Sequence, residues 1–165
     1  MFLKHKVIFI WLISLLVCLT GCSFLDPRLI NTPIDLHKAG SVVETDFKIA
    51  QDDKISLQLS FLVNDQPGDR DRLLTFLGGV GQIGTPIPLK VQITKQADLK
   101  DTVILEKIYT TTGMTSAGST ELDRLIDELG VQPGLYRIRL ETIEAFTQLS
   151  DTKVQFRIYY VRAHK

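Results

Sequence analysis

Cysteine is almost missing. The 165-residue chain has two, Cys18 and Cys22, both at its start. Everything after Cys22 therefore lacks disulfides and thiolate metal sites, and its stability must come from packing and hydrogen bonds. Histidine is also scarce. His5, His37 and His164 lie far apart, whereas a zinc site needs three or four converging ligands. No serine occupies a G-x-S-x-G elbow, and Ser119 in "SAGST" reads as a helix cap. With no catalytic constellation, the expectation is a protein that is not an enzyme, with no catalytic, cofactor-binding or metal-binding residues. An excess of one charge is missing too. The 19 Lys and Arg balance 19 Asp and Glu, so there is no electrostatic footprint for nucleic acid.

What is present begins with the leader. Lys4 and Lys6 make a basic start, and Val7 to Leu19 is apolar apart from Ser14. That arrangement is a secretory signal, and the run is short of the roughly 20 apolar residues of a membrane span. Its end, Leu19-Thr20-Gly21-Cys22, resembles the lipobox of bacterial lipoproteins. The resemblance implies removal of residues 1–21, diacylglyceryl on the Cys22 sulfur and an N-acyl chain, such as palmitate, on its amino group. The alternative is an ordinary secreted protein with a chance cysteine. Each buried methylene contributes about 0.8 kcal/mol, so two or three chains hold stably where one does not. In lipoproteins of Gram-negative bacteria, a serine such as Ser23 after the cysteine favours the outer membrane. The expected location is its periplasm-facing leaflet. The mature chain, from Cys22, keeps 17 basic and 19 acidic side chains.

Ser23 to Gly40, broken by Pro27 and Pro33, shows no period and reads as a tether, so the domain is expected over residues 41–165. There period-2 alternation dominates, the mark of half-buried strands. It runs through Val43–Ile49, Ile55–Val63, Ile87–Thr94, Tyr136–Glu141 and Val154–Tyr160. Val103–Thr110 is β-rich but mixed, which predicts cover on both faces. Two helices are predicted. Asp71 would cap "RLLTFLGG", ending on Gly78. Ser119 or Thr120 would cap "ELDRLIDEL", with Leu122, Leu125, Ile126 and Leu129 at helical spacing and Gly130 as the stop. The sum is mainly β: an antiparallel β-sandwich of Ig-like or Greek-key type, with one or two short helices after an N-terminal signal helix.

Tyr136 follows the turn Pro133-Gly134 at a strand start. This resembles a tyrosine corner, whose phenol bonds backbone a few residues upstream. The other reading is a core aromatic with its hydroxyl at the rim. Gly79, Gly81 and Gly84 spell G-x-G-x-x-G, but a dinucleotide fingerprint follows a strand and opens a helix. Here a helix precedes the glycines and Pro86 and Pro88 follow, so the stretch reads as a mobile connection with partner contact as a candidate use. "NDQPGDRDR" places Asp65, Asp69 and Asp71 beside Arg70 and Arg72 and reads as a solvated, self-compensating loop. Arg137, Arg139 and Glu141, with Gln155, Arg157 and Tyr159, would form a basic stripe if their strands were neighbours.

Lipobox, short tether and small β-domain together resemble small bacterial lipoproteins, some of which are immunity proteins against secreted toxins. That resemblance implies a protein partner and occlusion of a toxin cleft by a sheet face or the glycine loop. The alternatives are an accessory lipoprotein of an envelope or secretion machine, and a carrier of an apolar ligand between the sheets.

Overall fold

The alternating segments pair into two antiparallel sheets. The computed structural model describes residues 28–161; the leader, Cys22, Ser23 and His164 lie outside them. The strands are β1 (Arg28–Ile34), β2 (Val42–Ile49), β3 (Asp53–Leu62), β4 (Ile87–Gln96), β5 (Thr102–Thr111), β6 (Ser116–Ala117), β7 (Glu121–Val131), β8 (Gly134–Thr142) and β9 (Val154–Tyr160). One sheet has the order β1-β9-β3-β7-β6 and the other β2-β8-β4-β5. The inner rows meet face to face. Ile55, Leu57, Leu59 and Phe61 of β3 and Phe156 and Ile158 of β9 lie against Ile87, Leu89, Val91 and Ile93 of β4 and Ile138 and Leu140 of β8, all fully buried. Side chains thus fill the space between the sheets, as in aligned sandwiches.

Two predictions about elements are corrected. The tether reading fails over Arg28–Ile34, which pairs antiparallel with β9 and places Asn31 opposite Arg157. The domain therefore begins at β1 rather than at residue 41, and Ile30, Ile34 and Leu36 are core residues. Pro33 is accommodated because β1 is an edge strand, where one side of the backbone needs no ladder partner. The helix predicted over "ELDRLIDEL" is strand β7. Leu122, Arg124 and Ile126 point inward, and then the register against β3 shifts: Gln58 faces Leu125 while Leu57 faces Asp127. This bulge adds one residue and resets the parity. A 2-residue period broken by one extra residue imitates helical spacing across Leu122, Ile126 and Leu129. Gly130 lies inside the strand opposite Lys54 and stops nothing.

The first helix, α1, spans Asp69–Leu77 and does end at Gly78. Its start differs from the prediction. Gly68 is the cap, and Asp71 lies within the first turn. Asp69 is buried, accepts the Asn64 N–H at 2.8 Å and pairs with Arg72. Arg72 also donates to the Gln148 carbonyl at 2.6 Å and to Thr152 Oγ1 at 2.8 Å. Part of the loop read as solvated is therefore a tie between α1 and the segment before β9, buried at Asp69 and exposed at Arg72. A single 3-10 turn, Thr147–Leu149, lies in that segment.

Tyr136 is a tyrosine corner. Its ring is buried and stacks on Phe47 at 5.4 Å, and its hydroxyl donates to the Gln132 carbonyl at 2.7 Å. At the opposite side of the sandwich Tyr109 of β5 donates to Asp127 Oδ2 at 2.6 Å, joining the two sheets. β5 is otherwise a free edge. Val103, Ile104 and Ile108 are about half exposed, so the predicted cover on both faces is absent and the outer row of β5 meets solvent.

Strand directions sort the connections between two ends. One end carries the start of β1 and the turns at residues 50–52, 97–101 and 132–133. The other carries residues 35–41, α1 with the glycine loop, and the segments 112–120 and 143–153. Every larger connection belongs to this second end.

Candidate functional site: the glycine loop and its arginine clamp

The most specific chemistry lies behind the loop from Gly78 to Pro86. Helix α1 closes with Gly78 at φ 78°, and the chain doubles back so that Gly84 lies on the helix end. A Cβ on Gly84 would stand 1.8 Å from the Leu77 carbonyl oxygen, and one on Gly78 would stand 2.6 Å from the Gly84 nitrogen. Backbone packs on backbone here, which only glycine allows. The Thr85 N–H donates to the Phe76 carbonyl at 2.8 Å and the Gln82 N–H to the Gly79 carbonyl at 2.9 Å. Val80 forms a parallel bridge with Met114.

Beneath this loop lies Arg124, the largest fully buried side chain among the described residues. It comes from the inner row of β7, a place that alternation reserves for apolar residues. Its Nε donates to the Gly113 carbonyl at 2.9 Å. Nη1 donates to Thr85 at 2.7 Å and, more weakly, to Thr111 at 3.4 Å. Nη2 donates to the carbonyl of Leu77. Four backbone carbonyls stand in for a counterion, and Leu77's carries the negative end of the α1 dipole. The last turn of α1 has no basic residue of its own, so Arg124 supplies that cation from a sheet strand. Burial pulls its pKa down to about 10, and the guanidinium stays charged at neutral pH.

The two ends of this stretch, Leu77 and Thr85, converge on one planar cation. The order of elements is helix, glycines, strand, the reverse of a dinucleotide turn. Beside Gln82, the clamp leaves two large apolar side chains outward. Val80 is 64% and Ile83 85% exposed, and both project from a loop whose two ends are held.

The other predicted groups are placed as follows. Arg137, Arg139 and Glu141 lie on the outer face of one sheet, and Gln155, Arg157 and Tyr159 on that of the other. They do not neighbour one another, and the basic stripe does not exist. Arg157 is instead buried under its own neighbours. It pairs with Glu121 at 2.8 Å and donates to Tyr159 at 3.1 Å, Gln155 at 2.6 Å and Asn31 at 3.2 Å. Next to it Ser60 and Ser116 each donate to Asp123 at 2.6 Å. This network joins β1, β9, β3, β7 and β6 across one outer face. His37 pairs with Asp35 on the rim of an open cleft of about 410 Å³ between the ends of β1 and β3 and the start of β9.

The two packed antiparallel sheets, tyrosine corner and clamped loop define a class: a small β-sandwich with one helix at its loop-bearing end. The crystal structure of GEBA250068378 from Sulfurospirillum deleyianum shares the fold, with a TM-score of 0.72 and 30% identity over 81% of this chain and 98% of that one. The chain belongs to the family described as Domain of unknown function (DUF5625), whose model matches residues 31–160. That match starts inside β1, ten residues before the boundary read from the sequence. No curated protein matches the chain.

Proposed function

We propose that the protein is a lipid-anchored envelope module that binds another protein with its glycine loop. The observation that carries this reading is the pairing of exposed apolar side chains with anchored loop ends. Val80 and Ile83 are large, apolar and solvated, on a loop held at Leu77 and Thr85 by a buried guanidinium. Ordering a flexible loop at the moment of binding costs affinity, and pre-organisation removes that cost. Two projecting apolar side chains on a loop held at both ends suit a concave partner surface. The lipobox at Leu19–Cys22 supplies the anchor, with Cys22 carrying the diacylglyceryl and N-acyl groups and Ser23 favouring the outer membrane. In its most specific form the partner is a secreted toxin and the tip occludes its cleft.

The test is capture from envelope extract by a soluble form that starts after Cys22. Replacing Val80 and Ile83 together with Asp should abolish capture of the specific partner without moving the urea midpoint. Retained capture removes the loop from the interface. For the immunity form, cells that express a toxin encoded beside this gene should survive with the wild-type protein and die with the double variant.

A further inference from the structure

We infer that the end of the sandwich opposite the glycine loop rests on the lipid bilayer, with Leu99 as its apolar contact. This rests on the anchor at Cys22. Five residues separate Cys22 from Arg28, the first residue of β1. Six steps of extended chain reach at most about 20 Å. β3, with ten residues, runs about 33 Å from one end of the sandwich to the other. Arg28 lies at the end that bears the short turns. If the molecule were inverted, Arg28 would stand more than about 30 Å above the bilayer, beyond the tether's reach. The glycine loop therefore faces away from the membrane.

The near end is built for such a contact. Leu99, at the tip of the β4–β5 hairpin, is fully exposed. The Ala97 N–H donates to Asp101 Oδ1 at 3.3 Å, which closes the hairpin and leaves Leu99 outermost. Val103, Ile104 and Leu135, each about half exposed, lie just behind it. Among the described residues, Arg28, Lys48, Lys54, Lys95 and Lys100 at this end are balanced by Asp52, Asp53, Asp98, Asp101 and Glu128. The contact is thus apolar rather than electrostatic, and salt should not release it. Leu99 and the anchor also lie at opposite corners. β1 is at one side of the sandwich and β5 at the other, about 15 Å apart at ordinary strand spacing. Two attachments that far apart fix a tilt, where a lone anchor would be a pivot.

The only tryptophan, Trp11, is removed with the leader, so single-tryptophan variants are spectrally clean. Leu99→Trp and Ile83→Trp both alter exposed sites. Each full-length lipoprotein is purified and reconstituted in vesicles of phosphatidylethanolamine and phosphatidylglycerol containing brominated lipid. The expected result is that the indole introduced by Leu99→Trp is blue-shifted and loses emission to the bromine. The indole introduced by Ile83→Trp keeps its emission, and both results hold at low and at high salt. Equal quenching in the two variants, in protein whose mass shows the lipid, overturns the inference and leaves the anchor standing. A mass without lipid overturns both.

Discussion

Arg124 holds a position that a strand in a sandwich core normally gives to an aliphatic side chain, and its partners explain why it stays. Methionine there would keep the volume and leave the carbonyls of Gly113, Thr85 and Leu77 without their donor. A buried acceptor left unpaired costs on the order of 1–3 kcal/mol. Arg124→Met should therefore lose on the order of 3 kcal/mol in urea unfolding and open residues 78–86 to proteolysis. Arg124→Lys should recover little, because one ammonium cannot reach carbonyls arranged for a planar fork. Such a site is hidden from sequence reading. An arginine amid "ELDRLIDEL" looks like a polar helix position, and its acceptors are backbone groups that no side-chain pattern encodes. Tyr109 gives a second test. Burial, then the hydrogen bond to Asp127, then that carboxylate's charge raise its pKa above the usual tyrosine value. Stability from a raised group is complete below the unfolded value of about 10 and is lost as pH rises through the folded one. Tyr109→Phe should be less stable by about 1 kcal/mol at neutral pH, with the gap to wild type closing above about pH 10. A constant gap across that range would show that the phenol's proton is not what the folded state protects.

The elements divide by how cleanly their period survives. β2, β3, β4, β8 and β9 alternate without interruption, and their positions are legible to within a residue or two. β7 hides behind its bulge and its inward arginine. β1 hides because Asn31 and Pro33 occupy its outer row and Thr32 interrupts its inner one, leaving too few apolar residues to count. The tyrosine corner is readable because Pro133, Gly134 and Tyr136 are local signals in close succession. The glycine loop is readable as a loop but not as one tied at both ends to a buried arginine. β1 matters energetically. A chain cut to begin at residue 41 would lose Ile30, Ile34 and Leu36, each buried and each worth about 1.5–3 kcal/mol. Their sum is on the order of 6 kcal/mol, comparable to the whole stability of a typical domain. It would also bare the β9 edge. The chain from residue 41 should be insoluble or molten, and the chain from residue 28 should unfold cooperatively. A cooperative transition from the shorter chain would return β1 to the status of an appendage.

At the scale of the whole molecule, the distribution of material along the sandwich is uneven. Tight turns lie at the end that β1 enters, and the helix, the clamped loop and the open cleft lie at the other. A short tether turns that asymmetry into an orientation, because about 20 Å of chain cannot let a body about 33 Å long stand on its far end. The same arithmetic predicts how to break it. Twelve Gly and Ser residues inserted after Ser23 would extend the maximum reach to about 60 Å, and the inserted stretch alone would have a typical span of about 20 Å as a flexible coil. The sandwich could then turn over, and Leu99 would hold the bilayer alone. One leucine contributes roughly 2 kcal/mol, too little to keep a tumbling domain seated. With the longer tether, quenching in the Leu99→Trp variant should fall toward that in the Ile83→Trp variant, while the lipid still carries the protein with the vesicles. If the indole at the hairpin tip stays quenched on the long tether, then the tip binds bilayer on its own strength and the tether's length does not set the orientation.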